Sequence, residues 1–289
     1  MATLGTKWID DLVLALVSKD VVSGELGNRI RASLRELVRA HNEREKQPPK
    51  QTPPAETGGV FSKPLVIVNK LADFAPRHSP ESLAAAGIGA VAVIMHHGTS
   101  FDATDKENYS LFTEQATRLR AQKISVGIWG YLTGKVDPEA EARLAAKLCA
   151  DLGADFYLAN AEKPYSYIDE TGQPNPYHYD RTPRFCYQFK LNTPPSLPRA
   201  LLTYGTHEAI DYASWQKYGW TTKYAECFNG QAVDPKWAVA QGYQEGFGVV
   251  IPVAGYHQRI DLKEAYGSGN DNIAFYTGEN FSIEEMKVS

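Results

Sequence analysis

The sequence predicts an α/β protein whose main body is a closed (β/α)8 barrel, preceded by a short N-terminal helical segment and a proline-rich linker. Three observations predict it. From Val60 to the C-terminus, apolar runs of strand length alternate with amphipathic helical stretches. Several of those runs are apolar nearly throughout, as parallel strands covered on both faces require. A break in composition, "QPPKQTPPAETGG" at 47–59, separates this pattern from what precedes it. Eight units of strand, loop and helix close a TIM-type barrel. A doubly wound open sheet is the alternative, but no G-x-G-x-x-G follows the first strand, where "NKLADFAP" stands.

The elements follow in order. Residues 1–46 carry two helical stripes, Trp8, Ile9, Leu12, Val13, Leu16 and Val17, then Leu26, Ile30, Leu34, Leu37 and Val38. Ser23 is placed to cap the second. So short a segment cannot bury a core of its own, so an anchor that self-associates or docks on a partner is expected. Arg29, Arg31, Arg35, Arg39 and Arg44 read as its solvated face. Residues 47–59 form the linker, and 60–289 the barrel.

The candidate strands are 64–70, 89–97, 123–131, 154–162, 199–207, 221–229, 248–256 and 272–280. Between them lie helical stretches such as "PESLAAAG", "KENYSLFTEQATRLRAQ", "PEAEARLAAKLCADLG", "EAIDYASWQKYG" and "DPKWAVAQGYQEG". Asp137–Pro138 and Asp234–Pro235 are cap and first-turn pairs. Gly87, Gly153, Gly219 and Gly246 mark helix ends. The stretch between strands four and five is rich in Tyr and Pro and shows no long helix. It reads as an extended loop, a lid or groove wall.

Composition narrows the function. The 289 residues are 43% hydrophobic and 22% charged, with a net charge of −4, so nothing points to nucleic acid or an anionic membrane surface. Asp10 and Asp11 interrupt the apolar start, so no signal peptide is expected. No run approaches the roughly 20 apolar residues of a membrane span. Cys149, Cys186 and Cys227 are too few and too scattered for a disulfide framework or a CxxC metal site, and read as reduced structural thiols. Sixteen Tyr and five Trp suit sugar rings, whose C–H faces pack on aromatics.

In such a barrel the chemistry lies at the C-terminal ends of the strands. Those ends carry Asn69, His96 and His97, Trp129 and Tyr131, Asn160 and Glu162, Tyr204, Tyr224 and Glu226, Tyr256, and Tyr276 with Glu279. Residues two apart on a strand share a face, so Asn160 and Glu162 point the same way. Two carboxylates are what glycosidic hydrolysis needs. Glu162 is the expected general acid, its pKa raised by apolar surroundings, and Glu226 the expected nucleophile or base. Asn160, Trp129, Tyr131, Tyr204, Tyr256 and His96 are the expected substrate-binding residues. A buried ion pair with an Arg or Lys, Lys70 being one candidate, is the structural alternative for Glu162. His96 and His97 point to opposite faces of a strand, so no metal is expected. No phosphate loop or G-x-S-x-G is present, and no cofactor is expected.

The block "GIWGYLTGKVDPEAEARLAAKLCADLGADFYLANAEKPY", with "KYAECFN" and "VVIPVAGYH", resembles glycoside-hydrolase-like barrels of actinobacteria and their phages. It is distantly similar to the lysozyme barrels of family 25. Those carry Asp-x-Glu at strand four and an early Asp on strand one; here Asn160-x-Glu162 and Asn69 stand in those places. The resemblance thus implies either a different pair, Glu162 with Glu226, or a barrel that binds glycan without cutting it. In the phage group the barrel is often part of a tail protein. The implied partners are host cell-wall or surface polysaccharide, and other virion tail proteins or a second copy through residues 1–46. The implied location is the virion tail, or the host cytoplasm before assembly. A non-catalytic adhesive or structural minor tail protein is the alternative, and a free cellular hydrolase that dimerises through its helical segment is a third.

Overall fold

The computed structural model of the protein describes residues 59–134, 137–162, 165, 178–204, 210–226, 247–252 and 272–277, with positions 26, 28, 30, 32, 34 and 35 of the first segment. The chain divides into two compact units, Met1–Thr57 and Gly58–Ser289. In the first, Leu26, Ile30 and Leu34 are helical, as the second stripe predicts. The first stripe and the linker up to residue 58 lie outside the described residues.

The second unit is a ring of eight parallel strands. They are β1 (Leu65–Val68), β2 (Ala90–His97), β3 (Ser125–Leu132), β4 (Tyr157–Ala161), β5 (Arg199–Tyr204), β6 (Thr222–Glu226), β7 (Phe247–Pro252) and β8 (Asn272–Thr277). Each pairs with the next, and β8 pairs back onto β1, with Ile67 opposite both Ala92 and Tyr276. The (β/α)8 barrel expected from the alternation is what forms. All eight strands fall within a residue of the windows read from the sequence.

The described helices are α1 (Leu71–Phe74), α2 (Pro80–Ala85), α3 (Ala103–Ala121), α4 (Pro138–Leu152), α5 (His178–Asn192) and α6 (Tyr212–Lys217). Their starts follow local chemistry. Asp102 and Asp105 exchange side-chain bonds with each other's backbone N–H in a capping box at α3. Asp137 caps α4 ahead of Pro138, and Gly153 ends it in the left-handed conformation. The expected helix at 234–246 and the pair Asp234–Pro235 lie outside the described residues, as does Gly246. No described helix is long and apolar enough to cross a membrane.

One expectation is corrected. The stretch between β4 and β5 holds a helix of four turns, α5. Pro183 hides it in the sequence, because a proline beyond the first turn lacks a helical N–H. The signal that reveals it is a buried stripe, Thr182, Phe185, Cys186 and Phe189. Those rings pack with Tyr157, Tyr165, Trp215 and Trp220 into an aromatic layer between the sheet and α5–α6. Cys149 and Cys186 are buried free thiols; burial pushes Cys149 up to about 12. Cys227 is outside the described residues.

Two cores result, one on each side of the ring. Outward-facing residues such as Val66, Val91, Val126 and Leu201 pack under the helices. Inward-facing residues, among them Ile67, Ala92, Trp129, Leu158, Leu202 and Tyr224, fill the lumen. Phe61 closes its N-terminal end, edge-on to Phe156 at 5.4 Å and to Tyr224 at 6.1 Å.

Candidate active site

Going toward the C-terminal rim, each lumen-facing row changes from apolar to polar. Ile67 is followed by Asn69, Trp129 by Tyr131, Leu158 by Asn160 and then Glu162, and Tyr224 by Glu226. The pleat enforces this, since every second residue faces the same side. Strand register then sets the levels. Asn160 is opposite Leu202, Leu202 opposite Tyr224, and Tyr204 opposite Glu226. Glu162, two residues beyond Asn160 and directly after β4, therefore stands at the level of Glu226. The two strands are separated only by β5, which sets their backbones about 10 Å apart at a spacing of about 4.8 Å per strand. Side chains reaching inward from that distance converge.

The electrostatics record the convergence. The Glu226 carboxyl is pushed up to about 8, first by burial and then by the negative charge of Glu162; Lys223 on the same strand pulls the other way. Asn160 Nδ2 donates to Glu162 Oε1 at 3.1 Å. A carboxyl raised as far as that of Glu226 keeps its proton at pH 7. The ion pair with Lys70 does not form: Lys70 is half exposed and pairs with Asp73 at 3.3 Å.

Around the pair stand groups with unused hydrogen-bonding capacity. Asn69 Nδ2 donates to the Tyr276 hydroxyl at 2.6 Å. Among the described residues, Asn69 Oδ1, Asn160 Oδ1 and the Tyr224 hydroxyl have no partner. Tyr131, at the level of Asn160, is half-buried and packs against His97 with ring centroids 6.3 Å apart. Trp129 lies beneath, 4% exposed, its indole N–H donating to Val68 O at 3.1 Å. It forms the floor of the mouth and presents no open face.

The other expected residues are placed differently. His96 lies on the outer side of the sheet. A register shift between Ile94 and His96 turns its ring into the space left by the missing side chain of Gly130. There it is fully buried, with Nδ1 2.9 Å from Gly98 O and Nε2 3.0 Å from the Tyr157 hydroxyl. Burial pulls its pKa down to about 4, so the ring is neutral, Nδ1–H donating to the carbonyl and Nε2 accepting from the tyrosine. The backbone of Tyr204 is in β5 beside Glu226; Tyr256 and Glu279 are outside the described residues.

Among the described residues, His97, Asp102 and Asp105 could hold a cation, with candidate ligand atoms within 4.8 Å of one another. Both carboxylates already serve the α3 cap. His97 lies 3.7 Å from Asp105 Oδ2, and its pKa is raised by that carboxylate. The group therefore reads as a helix cap with a charge partner.

Sequence reasoning missed two helix residues that brace the rim. Asn108 on α3 is fully buried; its side chain accepts from Leu71 N at 2.8 Å and donates to Asn69 O at 2.8 Å and Ile94 O at 3.0 Å. Glu141 on α4 is buried as well. Glu141 interrupts an otherwise apolar buried face, and Asn108 joins Asp105 as a buried polar residue ahead of an apolar stripe; that is the signal that marks them in the sequence.

The barrel superposes on known ones. A GH18 chitinase from Pseudoalteromonas aurantia matches with a TM-score of 0.53 at 10% identity, over 78% of this chain and 97% of that one. The catalytic domain of a hyperthermophilic chitinase from Pyrococcus furiosus matches with a TM-score of 0.52 at 11% identity, over 76% and 88%. The likeness is one of fold. No family model and no curated protein matches the sequence.

Proposed function

We propose that the barrel hydrolyses glycosidic bonds in a bacterial cell-wall or surface polysaccharide, with Glu226 as general acid and Glu162 as the carboxylate that attacks the anomeric carbon or activates water. The observation that carries this reading is the placement of Glu162, directly after β4, and Glu226, at the end of β6, on one rim, where burial and the Glu162 charge push the Glu226 carboxyl up to about 8. An acid that stays protonated at pH 7 can give its proton to the leaving oxygen as the C–O bond breaks, while the ionised partner stabilises the positive charge developing on the sugar ring. Asn160 Oδ1 and Asn69 Oδ1, which have no partner among the described residues, would be the acceptors for sugar hydroxyls at this rim. The chitinases with the same fold make a glycan the natural substrate class. The sequence resemblance to tail barrels, and a helical segment ahead of a proline-rich linker, favour delivery of this barrel to a host surface on a virion tail.

Release of reducing ends from isolated cell-wall glycan tests the proposal. The wild-type chain is expected to release them, with the rate falling above about pH 8 as Glu226 deprotonates. Glu226→Gln and Glu162→Gln are each expected to lose at least about a hundredfold. Equal release by all three would reject both assignments. A second reading, an adhesive barrel that binds glycan without cutting it, is favoured by Asn160 and Asn69 standing where the family 25 lysozymes have Asp. It predicts glycan binding by the wild type and by Glu162→Gln, with no release by either.

A further inference from the structure

Glu141 lies on the first turn of α4, behind the rim, and is 1% exposed. Its carboxylate carries the bonds that join two loops. Oε1 accepts from Thr133 Oγ1 and from Gly134 N, both at 2.8 Å, in the loop that leaves β3. Oε2 accepts from the Tyr165 hydroxyl at 2.8 Å. Tyr165 in turn donates its backbone N–H to Glu162 O at 2.8 Å, directly after β4. The Tyr165 ring is held at its edge by Phe185 and tilted against Trp215.

The loop after β2 abuts the same carboxylate. Gly98 has φ +60, and a Cβ there would collide with Thr133 Oγ1 and come within 3.0 Å of Glu141 Oε1. Its backbone N–H donates to Tyr131 O at 2.7 Å. Exits from β2, β3 and β4 thus meet at one buried carboxylate. A buried carboxylate is costly to keep unless its oxygens are fully bonded. Stability alone is met as well by an apolar side chain of the same volume. What the carboxylate adds is direction, because three donors from two segments are fixed relative to one another.

We propose that Glu141 is a positioning residue that, through Tyr165 and its bond to the Glu162 carbonyl, holds Glu162 beside Glu226. For its catalytic consequence the assignment rests on the glycan-hydrolase reading above; its geometric content does not.

The test separates the two. Full-length protein labelled with 13C at glutamate carboxyls is titrated by NMR, and the Glu226 midpoint is followed in wild type, Glu141→Ala, Glu141→Gln and Tyr165→Phe. The charge of Glu162 contributes to the elevation of Glu226, so a Glu162 that has moved away lowers the midpoint. Glu141→Ala is expected to lower it by about one pH unit. Tyr165→Phe, which removes one hydroxyl and leaves the ring packed, is expected to move it the same way by less. Glu141→Gln is expected to keep the wild-type midpoint, since its amide still accepts from Thr133 and Gly134 and donates to the Tyr165 oxygen. If Glu141→Ala does not fold, Tyr165→Phe decides. An unchanged midpoint in the folded variants overturns the assignment. So does a Glu141→Gln midpoint displaced as far as that of Glu141→Ala, because charge and not position would then be responsible. Where the wild type releases reducing ends, Tyr165→Phe lowers kcat about tenfold with KM within about twofold. A wild type that releases none rejects the hydrolase reading and leaves the titration to judge Glu141.

Discussion

Glu226 and His96 show how placement, more than identity, sets the chemistry of a side chain. Both are titratable residues near strand ends, and burial moves each toward its neutral form. Glu226 faces the lumen and a second carboxylate; His96 faces the helices and two hydrogen-bond partners. The neutral His96 has a consequence for stability. Its folded pKa, about 4, lies below the unfolded value of 6.5, so the unfolded chain takes up the proton first. Its contribution is fully present above pH 6.5 and is lost as pH falls toward about 4, by about 3 kcal/mol. Urea denaturation of wild type and His96→Gln checks this: the stability gap between them is expected to shrink by that amount from pH 7 to pH 4. A constant gap contradicts it. Strand-end reading made Glu162, Glu226, Asn160 and Tyr131 legible, because alternation along a strand needs no tertiary information. The orientation of His96 was not legible, because one register shift in β2 inverts the parity.

Among elements, strands were read best and irregular connections worst. Runs such as "LVIV" in β1 and "AVAVIM" in β2 are buried on both faces, and their composition says so directly. Helix α5 was masked by Pro183 and by the Tyr- and Pro-rich stretch ahead of it, although its buried stripe has the helical period. Helix α3 is the element that braces the rim from behind. Asn108, fully buried on it, satisfies one N–H and two carbonyls from the segments following β1 and at the end of β2. Asn108→Ala strands three backbone groups at once, two of them in fully buried bonds, and is expected to cost about 3 kcal/mol in urea unfolding. A loss below about 1 kcal/mol would show that the brace is dispensable. The pleat and register of β1 and β2 would then hold Asn69 and Ile94 unaided.

Across the whole molecule, closure of the ring is what turns scattered residues into a site. Glu162 and Glu226 are far apart in sequence, yet parallel pairing from β4 through β5 to β6 sets them level. The pairing of β8 with β1 brings Tyr276 to Asn69 at the seam where the barrel closes. The apolar lumen below, plugged by Phe61 and floored by Trp129, removes water from beneath the pair and raises the cost of two adjacent charges. The measurement that bears most directly on this arrangement is the carboxyl titration of Glu226 in wild type and in Glu162→Gln. The account predicts a wild-type midpoint near 8 that falls when the neighbouring charge is removed. A midpoint in the ordinary carboxylate range in wild type, unmoved by the substitution, would contradict it.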